Sequence, residues 1–126
     1  MIRLARILIP LLLTALSAFA VEAKPAPQLS IRTFQYGCAA GKRMAVSYVR
    51  YGENGPGSAV LTWQGRQYGL AEALGASGAR YAALNGPAGT GGLEWWEHAG
   101  EASLSAFTGQ GTGVTRVLLS GCRVRG

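Results

Sequence analysis

Residues 59–70 read Ala-Val-Leu-Thr-Trp-Gln-Gly-Arg-Gln-Tyr-Gly-Leu. Ala59 to Trp63 and Arg66 to Leu70 are two short runs of strand-forming residues, and Gln64-Gly65 between them is a tight, glycine-containing hairpin signal. The same grammar extends in both directions. Ile31 to Tyr36, Met44 to Val49, Ala79 to Leu84, Leu93 to His98, Glu101 to Phe107 and Gly113 to Val124 are further short runs separated by glycine-rich turns. That makes about eight strands at spacings of roughly 8–12 residues, the pattern of an all-β sandwich or barrel. Only Leu70-Ala71-Glu72-Ala73-Leu74 reads as helical, and Gly69 and Gly75 confine it to about one turn. Nineteen glycines suit a small barrel, whose strands must bend and turn tightly.

The chain has 126 residues, enough for one small domain. Residues 1–23 read as a secretory signal peptide: Arg3 and Arg6, an apolar run from Ile7 to Leu13, then small residues that allow cleavage after Ala20 or Ala23. The run is shorter than the ~20 apolar residues a membrane span needs. No cysteine follows to take a lipid, so the expected mature form is soluble and lacks a membrane anchor. Residues 24–30, with Pro25 and Pro27, read as a stiff leader, and 31–126 as the folded domain.

About 100 residues bury a core of limited size. The only cysteines, Cys38 and Cys122, lie near the two ends of the domain, and an even count in an oxidising compartment favours a bridge. In the chain-entropy model such a crosslink contributes roughly 4–5 kcal/mol at most. Two thiols and one histidine make a poor zinc set, and no cofactor or metal is expected.

Without residues 1–23 the chain keeps ten basic and five acidic residues, or +5. Such an excess favours polyanionic partners. The basic residues are scattered singly, however, and the preferred reading is a solvated surface. A nucleic-acid-binding barrel has basic residues and aromatics in its favour. Export and a disulfide argue against it. Catalysis finds little support, because a single histidine near Glu94, Glu97 and Glu101 does not assemble a nucleophile, a base and an orienting group.

Two segments stand out: Ser77-Gly78-Ala79-Arg80-Tyr81, and Trp95-Trp96-Glu97-His98-Ala99-Gly100-Glu101-Ala102-Ser103-Leu104. With Tyr36-Gly37-Cys38 and Leu119-Ser120-Gly121-Cys122 they resemble the MliC/PliC family of c-type lysozyme inhibitors, in its soluble periplasmic branch. The likeness runs from about Phe34 to Val124. It implies an eight-stranded antiparallel barrel tied by a Cys38–Cys122 bridge, a periplasmic or secreted location, and c-type lysozyme as partner. It also implies that the serine of the first motif and a lysine of the second enter the lysozyme cleft and block its two catalytic carboxylates. A hydroxyl and a cation can satisfy such a pair by charge-assisted hydrogen bonds.

Ser77 takes the first of those places, and Gly78 lets the loop backbone approach closely. The second motif departs from the family pattern Tyr-x-x-x-(Thr or Ser)-Lys-Gly. Aligned without gaps it has Leu93 for the tyrosine, Glu97 for the hydroxyl residue, His98 for the lysine and Ala99 for the glycine. His98 can carry a proton, although an unperturbed histidine titrates near ~6.5. Glu97 is expected to bring a negative charge beside a surface meant for carboxylates. Arg80 is a candidate contact, while Tyr81 and Trp96 are expected to be structural. Adjacent Trp95 and Trp96 must face opposite sides of a strand. The competing reading is an exported barrel that has lost its lysozyme contact and binds an anionic envelope component or another class of lysozyme. Two copies could pair through exposed strand edges.

Overall fold

A computed structural model describes residues 15–26, 28–74, 77–109 and 113–126. The basic start and apolar run of the expected signal peptide fall outside these residues, as do Pro27 of the leader and Gly75. Among the described residues no helix is long and apolar enough to cross a membrane.

The chain forms β1 (Leu29–Gly37), β2 (Arg43–Tyr51), β3 (Gly57–Trp63), β4 (Arg66–Ala73), β5 (Ala79–Ala83), β6 (Leu93–His98), β7 (Glu101–Phe107) and β8 (Thr115–Val124). Each strand pairs antiparallel with the next, and β8 returns to β1, closing the barrel expected from the family likeness. Cys38 and Cys122 are bridged, which ties the turn after β1 to β8. β1 begins at Leu29, two residues ahead of the expected Ile31. A 3₁₀ turn at Ala39–Gly41 links β1 to β2.

The one helical expectation is overturned. Leu70 to Ala73 is the end of β4, paired to β3 on one side and β5 on the other, with Leu70 buried against the core. One helical turn cannot offset the cost of its own nucleation, whereas two neighbouring strands satisfy the same backbone groups.

Alternation along the strands fills the barrel. Val46, Leu61, Leu70, Leu93, Trp95 and Leu104 all point inward and are essentially inaccessible to solvent. Closure at the β1–β8 seam is short, because only Tyr36 and Gly37 pair with β8. The outer edge of β1 from Leu29 to Phe34 therefore runs on beyond the seam, with Leu29 and Ile31 about 60% exposed (59% and 60%). Antiparallel order places the β2–β3, β4–β5 and β6–β7 connections at one end of the barrel.

Candidate functional site

The two motifs meet at that end. Ser77 lies in the β4–β5 connection, and His98 is the last residue of β6. Ala99-Gly100 turns β6 into β7 with both residues at positive φ (51° and 77°), the two-residue geometry whose twist matches that of the strands. The turn thus asks for the left-handed backbone at the very position where the family pattern has glycine. An alanine there carries strain of about 1–2 kcal/mol.

Ser77 Oγ and His98 Nδ1 are 3.1 Å apart, and both residues are exposed. Gly78 makes this approach feasible. Its φ is +84°, and a Cβ built there would collide with the carbonyl oxygen of Glu97. Trp96 supports the loop from the outer face of β6, donating from Nε1 to the Ser77 carbonyl oxygen at 2.8 Å.

Arg80 is less free than its place in the motif implies. Its guanidinium donates twice to Glu94 and lies 5.9 Å from the centre of the Trp96 ring. It is a fixed cation that holds Trp96 in place. Tyr81 is buried inside the barrel, with its ring 5.4 Å from that of Tyr48. Trp95 is fully buried and Trp96 only half-buried, on opposite faces of β6.

Glu97 reverses its expectation. Two positions after inward Trp95, it also points into the barrel, where one carboxylate oxygen accepts hydrogen bonds from the hydroxyls of Tyr36 and Tyr48. Its charge is therefore withdrawn from the surface that carries His98. The alternation that separates Trp95 from Trp96 already contained this result, since Glu97 shares the parity of Trp95. Tyr48 also accepts from Trp95 Nε1 at 2.8 Å. Burial raises both phenols above the usual tyrosine range, and the hydrogen bond to Glu97 pushes the same way. They remain donors at physiological pH. Sequence reasoning missed Tyr36 and Tyr48 as partners of Glu97, because 61 and 49 residues separate them from it.

Two further carboxylates of β6 and β7 are engaged: Glu94 by Arg80, and Glu101 by Arg123 at 3.3 Å. An exposed hydroxyl and imidazole at one rim, with Glu94 paired to Arg80 and Glu97 turned inward, can donate to acidic groups on another molecule.

Residues 36–112 match the model of the family described as membrane-bound lysozyme-inhibitor of c-type lysozyme. The chain belongs to this family. The fold agrees with two solved MliC/PliC structures. The periplasmic inhibitor of c-type lysozyme from Salmonella typhimurium, PliC-St, superimposes with a TM-score of 0.62 at 24% identity, over 77% of this chain and 100% of that one. Pseudomonas aeruginosa MliC, solved in complex with hen egg white lysozyme, gives 0.55 at 23% identity, over 84% of this chain and 94% of that one. Comparison with curated protein sequences returns no match.

Proposed function

We propose that this chain is an exported inhibitor of c-type lysozyme that inserts the Ser77 loop and the His98 turn into the active-site cleft. The observation that carries the reading is the 3.1 Å contact between Ser77 Oγ and His98 Nδ1 at one exposed rim. Lysozyme hydrolyses glycosides with two carboxyl groups, which in a retaining glycosidase lie about 5–5.5 Å apart. The hydroxyl of Ser77 and the far nitrogen of His98, one ring width beyond Nδ1, form a donor pair of that scale.

The proton state of His98 decides what the pair can offer. With Nδ1 unprotonated, the serine hydroxyl donates to it and is consumed. With both ring nitrogens protonated, Nδ1–H donates to Ser77 Oγ. The serine O–H and His98 Nε2–H are then both released toward the carboxylates. A cation facing two acids also forms the stronger, charge-assisted bonds. The family's lysine supplies that charge permanently, whereas His98 supplies it on protonation.

Lysozymes of this class are basic and the domain carries +5, so long-range attraction contributes nothing and binding rests on local contacts. Withdrawal of Glu97 into the barrel removes the one like-charge conflict that the second motif raised. The open β1 edge from Leu29 to Phe34 is where a second copy would pair.

The test is clearing of a bacterial cell suspension by hen lysozyme, with and without the purified domain. The domain should slow lysis, and Ser77→Ala and His98→Ala should each relieve that inhibition. Full lysis in the presence of excess domain would return the function to the anionic-ligand reading.

A further inference from the structure

The face of β6 opposite His98 lines a second feature. An open cavity of about 530 Å³ occupies the barrel mouth, walled by Phe34, Tyr36, Tyr48 and Tyr81, with Glu97 and Arg32 among its polar groups. That volume lies within the range of small-molecule sites.

Glu97 has an uncommon position there. Among the described residues the ion pairs are Arg80–Glu94 and Arg123–Glu101, so Glu97 makes no direct ion pair, although Arg32 and Arg50 line the same cavity. Its carboxylate is held by two phenols, which fix its orientation without neutralising it. Phe34 and Tyr48 are the accessible rings of this wall, while Tyr36 and Tyr81 are only 4% and 6% exposed, and ring faces beside a carboxylate attract positive charge.

The register locates the opposite charge. Arg32 pairs with Tyr48 and stands four residues from Tyr36 along β1, about 13 Å nearer the open end of the strand. Arg50, also on the wall, keeps its charge, and its Nη1 is anchored to the Gly55 carbonyl oxygen at 3.0 Å. Arg32 has no side-chain hydrogen bond or ion pair among the described residues.

From this arrangement we infer that the barrel mouth binds a small zwitterion, with a quaternary ammonium group among the aromatic rings and Glu97, and an acidic group toward Arg32. A primary ammonium carries three N–H donors, whereas one Glu97 oxygen already accepts from both phenols, and donors left against the rings without acceptors are costly. A trimethylammonium head has no donors to satisfy. Because inward and outward positions alternate along β6, this site and the Ser77–His98 rim occupy opposite faces of one strand.

The experiment is isothermal titration of the full chain with four probes: phosphocholine, choline, inorganic phosphate, and neohexyl alcohol, the uncharged carbon isostere of choline. Choline should bind and the isostere should not, with phosphocholine at least about fivefold tighter than choline. Arg32→Ala should abolish the difference between phosphocholine and choline. Glu97→Gln, which can still accept from both tyrosines, should weaken both by about tenfold. Phe34→Ala removes a ring at the half-exposed rim and should weaken choline without unfolding the barrel. Equal binding of choline and its isostere would overturn the proposal, as would the absence of saturable heat with either ammonium probe. Unchanged affinity in a folded Glu97→Gln protein would do the same.

Discussion

Ser77 and His98, 21 residues apart in the chain, sit with Oγ and Nδ1 3.1 Å from each other because β5 and β6 are antiparallel neighbours and Gly78 permits close passage. One hydrogen bond couples the two residues proposed to meet the lysozyme carboxylates. Each prediction for the rim depends on that coupling.

A permanent cation at position 98 should strengthen inhibition, because it faces the carboxylates and leaves the Ser77 hydroxyl free to donate. His98→Lys supplies that cation, whereas His98→Ala removes the imidazole altogether. Inhibition of lysis by the parent and the two variants at fixed salt and neutral pH decides the matter. Equal inhibition by all three would take position 98 out of the contact.

Gly78→Ala places a side chain at φ +84° against the Glu97 carbonyl oxygen. The loop must shift, at a cost of roughly 1–3 kcal/mol. Thermal melting should register that cost. Inhibition should fall by more than melting alone explains, because Ser77 moves away from His98. A variant as stable and as inhibitory as the parent would contradict the close approach.

Ala99→Gly should act in the opposite direction. The φ of 51° at Ala99 strains an L-residue, so glycine there should raise stability by about 1 kcal/mol despite its greater freedom when unfolded. Denaturant midpoints of the two proteins provide the check, and a lower midpoint for the glycine variant would count against a strained turn.

Reducing the Cys38–Cys122 bridge, or replacing both cysteines by serine, should cost roughly 2–5 kcal/mol, because a crosslink across 84 positions restrains the unfolded chain. The seam between β1 and β8 has two paired positions and should open first. Hydrogen exchange with and without reductant should show the added exchange concentrated in β1 and β8.

Alkali should unfold the barrel through its tyrosines. Burial raises the phenols of Tyr36, Tyr48 and Tyr81 in the fold, while the unfolded chain titrates near ~10. The raised folded value means that the native state keeps protons which the unfolded state releases. Stability from these groups is therefore complete below pH ~10 and declines as pH rises above it, by roughly 1.4 kcal/mol per pH unit for each retained proton. Tyr48→Phe should make that decline shallower. Phenolate absorbance of the still-folded parent rising at pH ~10 for all five tyrosines would disprove the linkage.

Strand number, the hairpins at Gln64-Gly65 and Ala99-Gly100, and the opposite facing of Trp95 and Trp96 were legible in the chain because they arise from local rules: a period of two and turns that need positive φ. The choice of closed barrel over sandwich, and the cysteine pairing as part of that fold, came through the family likeness. Leu70 to Leu74 misled because its helical composition is local, whereas the partners that make it a strand are not.

Tertiary structure alone decided where charge resides. Arg80 stands fourteen positions from Glu94 and Glu97 sixty-one from Tyr36, and no local pattern shows that the first pair immobilises a surface cation or that the second draws an anion inside. Local sequence determines which face of a strand a side chain takes. Barrel closure determines what it meets there, because long-range partners are set by the register of strands far apart in the chain.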